Sequence, residues 1–333
     1  MAKTPRVFVT RKLPLEVETR MSDLFDVVLR SDDRPLTQDE LKAGIADCDV
    51  FVPNVSDDIN GDVIDAAGAR LRLIANFGAG TDHIDRKAAY ARGITVTNTP
   101  GVLTQDTADM TMALLLSVPR RLGEGDRVMR AGGFTGWTPT HMLGSRVKGK
   151  ALGIIGMGRI GQAVARRANA FGLRVHYHNR RQVPSGIEDT LGAQFHADLD
   201  HMLSIVDMVS INCPHTPLTH HLINEDRLAK MKPGSFIVNT ARGEIIDEAA
   251  LAAALEAGHI GGAGLDVFES GQAPHPKLLT LDNVILTPHI ASATHESRRE
   301  MGEKVIINIR ALIDHHACPD RVLPPGKSFQ IAS

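Results

Sequence analysis

Cysteine is scarce in this chain, which has three such residues in all. Cys48, Cys213 and Cys318 form no even disulfide set, and their positions lack the close spacings with which cysteines bind metal ions. These counts exclude a disulfide-stabilised scaffold and a cysteine zinc site. Unpaired thiols are typical of a reducing compartment, so we expect a cytoplasmic protein.

The chain also lacks an excess of either charge and any long apolar run. Lys and Arg number 37 against 39 Asp and Glu, a formal net charge of −2. Nucleic-acid binders usually carry a basic excess, so we expect no nucleic-acid partner. No uninterrupted apolar stretch reaches the ~18 residues of a membrane span, and we expect no membrane association. Because the strand-like Val7–Thr10 lies so close to the first residue, we expect no signal peptide.

Histidine is abundant, with 15 residues, but its spacing argues against a metal site. The close pairs are His176/His178, His220/His221 and His315/His316. None is the His-x-x-x-His pair that shares a helix face and can hold a metal ion. We therefore expect no metal.

A length of 333 residues exceeds the roughly 100–200 of one domain, so two domains are expected. Apolar strand-like runs alternate with helical segments in two successive series, the pattern of parallel sheets wrapped by helices. The predicted strands are Val7–Thr10, Val27–Leu29, Val50–Pro53, Leu73–Phe77 and Ile94–Asn98 in the first series, and Ala151–Ile155, Arg174–His178, Met208–Cys213, Phe236–Thr240, Gly264–Val267 and Val284–Leu286 in the second. The pattern predicts an α/β protein of two doubly wound units in tandem.

Three segments stand apart from this alternation. A long helix is expected after Gly101, with Asp106 or Thr107 as its N-cap. The stretch 131–150 holds too many glycines and prolines for a regular element. The run Glu296–Ile313 predicts a last long helix. Order along the chain leaves open whether that helix closes the second unit or crosses back to the first.

The run Gly156–Gly161 matches the pattern Gly-x-Gly-x-x-Gly of dinucleotide-binding loops. A predicted strand precedes it, and a helix that includes Ile160 follows it, which is the context this pattern needs. In such loops the first glycine makes a tight turn, the second admits the pyrophosphate and the third lets the helix pack on the strand. Gly156, Gly158 and Gly161, with Arg159 and Ile160, are therefore predicted to bind a dinucleotide.

The residues after the next strand indicate which dinucleotide binds. An NAD site places Asp or Glu about 20 residues after the glycines, to accept from the ribose 2′-hydroxyl. This sequence has Asn179, Arg180 and Arg181 there. Arginine can bind a 2′-phosphate through paired donors, so NADP(H) is the preferred cofactor. The alternative is that both arginines are solvated loop charges and NAD(H) also serves.

Further motifs follow at several predicted strand ends. They are the segments 74–85, 212–217, 238–243, 264–268 and 287–290, read as IANFGAGTDHID, NCPHTP, VNTARG, GLDVF and TPHI. With the glycine loop they make the chain resemble the D-2-hydroxyacid dehydrogenases, most closely their glyoxylate/hydroxypyruvate reductase branch. The resemblance extends from Val7 to about Pro324.

The resemblance implies a flavodoxin-like substrate-binding domain and a Rossmann coenzyme domain with a cleft between them. The substrate-binding domain would be discontinuous, formed by 1–100 and 291–333, with the last helix crossing back, and the coenzyme domain would span 101–290. Members are generally homodimers joined through the coenzyme domains, with an arm here at about 120–147. In the reductase branch an arm Trp reaches the neighbour's active site, and Trp137 matches it. The alternative for Trp137 is a plain interface aromatic.

The resemblance also implies the catalytic pair. Arg242 would bind the carboxylate and carbonyl of a 2-oxo acid, because its planar fork fits a carboxylate with an adjacent carbonyl. His289 would be the general acid that protonates the carbonyl oxygen. The backbone of Ala79 and Gly80 would help to bind the carboxylate, and Asp266 would lie near the nicotinamide. The other residues expected at the cofactor are Thr107, Cys213, Pro214, Thr219, Thr240 and Ala241.

One family residue is missing. The family pairs its His with a Glu that stands 29 residues after the Arg, and this position is Gly271. Three interpretations remain open: Gln272 holds the imidazole as a neutral partner, Glu269 bends in, or the site is impaired. A carboxylate near an imidazole favours its protonated form. We therefore expect an activity optimum shifted to acidic pH.

The leading hypothesis is an NADPH-preferring reductase of glyoxylate and hydroxypyruvate that forms the (D)-2-hydroxy acid. One alternative is a catalytically weakened nucleotide-sensing protein on the same scaffold, which the missing Glu would suit. Another is a dehydrogenase of a bulkier 2-oxo acid. The residues expected to set the pocket size are 54–56, Leu103, Trp137 and Met142.

Overall fold

The computed structural model describes residues 4–323, and these divide into two compact units. One unit comprises the chain up to Leu103 together with the residues from Thr294 onward, and the other comprises Thr104–Ala293. Both boundaries lie three residues after those expected from the sequence. Of the predicted substrate-binding segment, 324–333 lie outside the described residues.

The first unit is built on five parallel strands in the order β2-β1-β3-β4-β5. Its elements up to the boundary are β1 Arg6–Val9, α1 Leu15–Leu24, β2 Asp26–Val28, α2 Gln38–Ala46, β3 Val50–Val52, α3 Gly61–Asp65, β4 Leu73–Ala75, α4 Arg86–Ala91 and β5 Thr95–Thr97. The order reverses between β1 and β3, which makes this sheet doubly wound. Thr37 caps α2 through a complete capping box with Glu40.

The second unit is built on seven parallel strands in the order β12-β11-β10-β9-β6-β7-β8. Its elements are α5 Thr104–Ser117, α6 Leu122–Arg130, β6 Ala151–Ile155, α7 Arg159–Ala170, β7 Arg174–His178, α8 Ser185–Leu191, β8 Ala193–His196, α9 Leu199–Ile205, β9 Met208–Ile211, α10 Glu225–Lys230, β10 Ser235–Asn239, α11 Glu248–Glu256, β11 Ile260–Leu265 and β12 Val284–Leu286. Apolar clusters cover both faces of the sheet. The order reverses between β6 and β9, where doubly wound sheets bind ligands.

The last helix, α12 His295–Ile313, packs on the first unit. Met301, Val305 and Ile309 join the apolar cluster of Val17 and Met21 of α1. This packing answers the question that chain order left open. The predicted class is confirmed: both sheets are parallel, and both are doubly wound. No described helix has both the length and the apolar character that crossing a membrane requires.

Several element predictions were wrong in detail. Helix α5 begins at Thr104, so Asp106 and Thr107 lie inside it and neither is the cap. Strand β8 was missed, because this short edge strand has no apolar run. Strand β11 begins at Ile260 and not at the predicted Gly264, and Gly261 and Gly262 pack closely there. A Cβ on Gly261 would lie 2.6 Å from Gly234 O.

Candidate active site

The glycine loop leaves β6 at the reversal point of the seven-stranded sheet. Gly156 has φ +99°, and a Cβ on it would lie 2.7 Å from Cys213 N. A Cβ on Gly161 would lie 2.2 Å from Gly156 O, so only glycine lets α7 begin so close to the strand. A Cβ on Gly158 would meet nothing within 4 Å, so a ligand can approach the backbone there.

The N-terminus of α7 opens on the same loop. Its first hydrogen bond runs from Gln162 N to Gly158 O at 2.9 Å, so the amides of Arg159, Ile160 and Gly161 point out of the helix end. Gly158 and Arg159 are exposed. Free amides and the helix dipole favour an anion at this position.

Exposed cations follow the end of β7. Arg180 and Arg181 are exposed, and neither forms an ion pair with any described residue. Asn179 Nδ2 donates to Arg181 O at 3.2 Å, which fixes the start of this loop. The nearby acid Glu188 accepts from Tyr177 OH at 2.7 Å. The loop thus presents two guanidinium groups and no carboxylate of its own.

The loop after β9 faces the glycine loop across the reversal point. Thr219 fastens it, because Thr219 Oγ1 donates to Pro214 O at 2.8 Å and accepts from Thr216 N at 2.8 Å. Burial raises the pKa of the Cys213 thiol to about 11, so this side chain is a neutral lining group. Asn212 Nδ2 is buried without a hydrogen-bond partner among the described residues, as expected of a donor that serves a bound ligand.

Arg242 stands in the turn that leaves β10. Asn239, which is fully buried, donates from Nδ2 to Arg242 O at 2.8 Å and accepts from Ala241 N at 3.0 Å. Arg242 Nη1 donates to Ala241 O at 2.7 Å. Gly243 is required next, because a Cβ there would lie 1.9 Å from Phe268 C.

Helix α5 supports the same turn from one side. The largely buried Thr240 forms a hydrogen bond with Thr111, and the two Oγ1 atoms lie 2.8 Å apart. Thr111 Oγ1 also donates to Thr107 O at 2.7 Å, so the buried Thr107 is tied to Thr240 through one intermediate. Thr111 was not predicted from the sequence. Its position four residues after Thr107, on the same helix face, was the available signal.

His289 lies in a tight loop after β12, and a buried carboxylate shapes that loop. Its φ is +54°, a conformation that histidine rarely adopts, and its amide donates to Asp266 O at 2.9 Å. The Asp266 carboxylate is fully buried and accepts from Thr287 Oγ1 at 2.6 Å, Ile290 N at 2.8 Å and Ala291 N at 2.8 Å. Asp266 therefore fixes the backbone on both sides of His289.

Glu269 has a partner other than His289. Its Oε1 lies 2.6 Å from His221 Nε2, and its Oε2 accepts from Glu248 N at 3.2 Å. The interpretation that Glu269 bends toward His289 is therefore not what the structure shows. Gly271 has φ +73° in an exposed turn, and Gln272 is also exposed.

In the first unit, the loop after β4 carries Ala79 and Gly80. Buried Asn76 donates from Nδ2 to Gly80 O at 2.8 Å, and Asn98 donates from Nδ2 to Ala79 O at 2.7 Å. The two carbonyls are thus bound, which leaves the loop's amides as the groups that can meet a carboxylate.

Comparison with known proteins agrees with this geometry. The family model described as D-isomer specific 2-hydroxyacid dehydrogenase, NAD binding domain, matches residues 112–291. A glyoxylate reductase of Korarchaeum cryptofilum is 44% identical over 97% of this chain and 99% of its own. One of Thermococcus onnurineus is 43% identical over 96% of both chains. The chain belongs to the D-isomer specific 2-hydroxyacid dehydrogenases.

Solved structures of relatives share the same fold. An NADPH-dependent glyoxylate/hydroxypyruvate reductase of Sinorhizobium meliloti, in complex with NADP and malonate, is 34% identical with a TM-score of 0.84. The alignment covers 96% of this chain and 97% of that one. The dehydrogenase described here is accordingly an NAD(P)-dependent oxidoreductase.

The dehydrogenase brings three of its predicted groups to one edge of the seven-stranded sheet. The glycine loop, the Arg242 turn and the His289 loop follow the carboxyl ends of β6, β10 and β12. The structure leaves Trp137 81% exposed, in a stretch from 131 to 150 without a helix or strand. His221 was missed as a site-building residue because its contact with Glu269 joins segments 48 residues apart. Asn239 was also missed, although its side chain bonds to Ala241 and Arg242 close by in the sequence.

Proposed function

We propose that this dehydrogenase uses NADPH to reduce small 2-oxo acids, glyoxylate and hydroxypyruvate, to the (D)-2-hydroxy acid. The observation that carries the proposal is the grouping of Gly156–Gly161, Arg242 and His289 at the carboxyl edge of one doubly wound sheet. Ligands bind at this edge in such sheets. The names of the relatives, glyoxylate reductase and glyoxylate/hydroxypyruvate reductase, support the substrate class.

The cofactor preference follows from the charge after β7. Arg180 and Arg181 would bind the 2′-phosphate of NADP(H), which an acid at the same place would repel. The open backbone at Gly158 and the amides of α7 would hold the pyrophosphate. The remaining residues proposed at the cofactor are Arg159, Ile160, Asn179, Cys213, Pro214, Thr219, Thr240, Ala241, Asp266 and, through α5, Thr107.

Arg242 and His289 have different roles in the proposed reaction: Arg242 binds the substrate and His289 donates a proton. The Arg242 guanidinium would bind the substrate carboxylate by a charge-assisted contact worth about 1.5–3 kcal/mol, and the amides of Ala79 and Gly80 would contribute further donors. Bound NADPH supplies the hydride that reduces the carbonyl carbon. His289, protonated, would donate its proton to the carbonyl oxygen, so that the carbonyl becomes a hydroxyl. The neutral imidazole then regains a proton from solvent.

We also propose that two copies associate through the arm at about 120–147. This stretch exposes a run of large apolar side chains, which monomers rarely leave in contact with water. They are Leu122, Met129, Phe134, Trp137 and Leu143. Trp137 would act either at the neighbouring subunit's substrate or as an interface aromatic alone. The unit Thr104–Ala293 would bind the coenzyme and the other unit the substrate.

One observation favours a second candidate, a nucleotide-sensing protein with weak activity. Position 271 is a glycine and Glu269 is bound to His221, so neither supplies the carboxylate that the family resemblance led us to expect. Such a protein would bind NADPH but turn over poorly. A third candidate, oxidoreduction of a bulkier 2-oxo acid, predicts a different order of substrates.

The test compares the wild type with Arg242→Gln and His289→Gln in steady-state oxidation of NADPH by glyoxylate. Arg242→Gln should raise KM about 10- to 150-fold, the equivalent of about 1.5–3 kcal/mol. His289→Gln should lower kcat about 10²- to 10⁴-fold with little change in KM. Equal activity of all three proteins, or none in the wild type, would refute the proposal.

A further inference from the structure

The turn that carries Arg242 lies between two other loops. Strand β10 has β9 on one side and β11 on the other, so the loops that leave these strands flank the turn. From the β9 side, His221 N donates to Glu244 O at 2.8 Å and Ile223 N donates to Ile245 O at 3.0 Å. From the β11 side, Phe268 packs against Gly243 so closely that no Cβ fits there.

His221 is held in an unfavourable backbone conformation at this place. Its φ is +46°, which a residue with a side chain rarely adopts and which strains the backbone. Its ring stacks on that of His220 at 4.1 Å and 16°. Retention of such strain indicates that the position of the imidazole matters to the molecule.

Glu269 completes a bridge over the turn. Its Oε1 lies 2.6 Å from His221 Nε2, and each partner is about one third exposed. Buried Glu248, at the start of α11, fixes Glu269 because its Oε1 accepts from Glu269 N at 2.6 Å. The other Glu248 oxygen accepts from His275 N at 2.7 Å, which anchors the far end of the same loop.

We propose that His221 and Glu269 form a clasp across the Arg242 turn and act as positioning residues for Arg242. The clasp joins the loops after β9 and β11, which flank the turn after β10, so the turn is held by protein on both sides. The groups that face the pair are Glu248 and the ring of His220. This inference rests on the proposed function, because it concerns how Arg242 is presented to a substrate carboxylate.

The clasp is tested with His221→Asn, Glu269→Gln, Glu269→Ala and the double variant His221→Asn/Glu269→Ala. Asparagine tolerates the left-handed backbone and cannot reach Glu269, so it removes the bridge without new strain. Glu256→Gln is the control, since it breaks the exposed Glu256–Lys277 pair at the other end of α11. Each variant is assayed for KM and kcat with glyoxylate and for NADPH affinity by fluorescence.

We expect His221→Asn and Glu269→Ala to raise the KM for glyoxylate about 5- to 20-fold, with kcat and NADPH affinity within about twofold of wild type. Glu269→Gln keeps a hydrogen-bonding side chain and should recover much of the loss. The KM of the double variant should not exceed that of the single variant with the higher KM, because both substitutions remove the same interaction. Glu256→Gln should match the wild type.

Amide hydrogen exchange of residues 240–246 provides a readout that needs no activity. Faster exchange there in His221→Asn and Glu269→Ala, but not in Glu256→Gln, supports the clasp even if the wild type reduces no 2-oxo acid and the proposed function fails. Unchanged exchange in both variants would overturn the clasp. So would an active wild type whose KM for glyoxylate is unchanged by His221→Asn and by Glu269→Ala. Additive effects in the double variant would also overturn it.

Discussion

Two exposed side chains, Arg180 and Arg181, carry the proposed preference for NADPH. Replacing both by alanine should raise the KM for NADPH about 10- to 100-fold, because charge-assisted bonds to the 2′-phosphate are lost. NADH lacks that phosphate, so its KM should stay within about twofold. Arg174→Ala is the matched control, since Arg174 is an exposed arginine at the amino end of the same strand. Steady-state kinetics with both cofactors measure the outcome.

Equal loss with NADH and NADPH would contradict this assignment. It would mean that the two arginines stabilise the loop and do not bind the 2′-phosphate. No change with either cofactor would identify them as solvated charges, the alternative that the sequence left open.

Gly271 offers a second test at the residue scale. Gly271→Glu restores a carboxylate where the family has one, and nothing within 4 Å obstructs the new Cβ, although φ +73° imposes some strain. A carboxylate favours the protonated imidazole, so the alkaline limb of kcat/KM should move to higher pH by about one unit. Gly271→Gln, equally strained and uncharged, is the control. A wild-type profile still flat above about pH 8 would contradict the expected acidic optimum.

Single residues were predictable where local geometry dictates them. The glycine pattern implied a tight turn, an open approach and close helix packing, and Gly156, Gly158 and Gly161 have these geometries. The partner of Glu269 was not predictable, because His221 lies 48 residues away and meets it only through strand order. Sequence left three interpretations for the missing carboxylate, and the structure assigns Glu269 to His221.

At the scale of elements, the conformation of the loop 287–291 depends on the carboxylate of Asp266, which directly follows β11. Asp266→Asn replaces one acceptor oxygen by a donor group, so the bonds from Ile290 N, Ala291 N and Thr287 Oγ1 cannot all persist. The His289 loop should loosen, and kcat should fall about 10- to 100-fold, a larger change than any accompanying loss of NADPH affinity. Asp282→Asn, on the exposed loop before β12, is the control. A loss confined to NADPH affinity would assign Asp266 to the cofactor alone.

The edge of the seven-stranded sheet contains an acid-sensitive histidine pair. His176 Nδ1 and His196 Nε2 lie 3.0 Å apart between β7 and β8, and burial is the main cause that lowers the pKa of both. The unfolded pKa of histidine is about 6.5. With lower folded values, stability is complete above that pH and declines as pH falls below it, because the unfolded chain then binds more protons.

The midpoint of urea unfolding should therefore fall when pH is lowered from about 7.5 to about 5.5. His176→Gln removes one titrating partner and should flatten this dependence. His295→Gln, at the start of α12 and remote from the pair in sequence, should retain the wild-type slope. The same slope in His176→Gln and the wild type would show that other groups dominate acid sensitivity.

Several strands were predicted with their observed bounds. The bounds of β6, β7 and β12 agree with the predicted ones, whereas β8, a four-residue strand at the edge of the sheet, was missed. Strand β11 begins at Ile260 and not at the predicted Gly264, since Gly261 and Gly262 pack closely against neighbouring residues in the sheet. Boundaries depend on such tertiary contacts, which periodicity does not report.

For the whole molecule, the alternation of strands and helices predicted two doubly wound units, and the strand orders confirm that class. Alternation could not place the last helix, because an amphipathic helix can cover either unit. The contacts of Met301, Val305 and Ile309 with α1 settle its placement.

The central claim, NADPH-dependent reduction of a small 2-oxo acid, is tested most directly by one assay. The rate of NADPH or NADH oxidation is measured across a panel of 2-oxo acids from glyoxylate and hydroxypyruvate to branched and aromatic ones. We predict the highest kcat/KM with glyoxylate or hydroxypyruvate, and values about 10-fold or more higher with NADPH than with NADH. Binding of NADPH without turnover of any 2-oxo acid, or a clear preference for the bulky acids, would contradict the account.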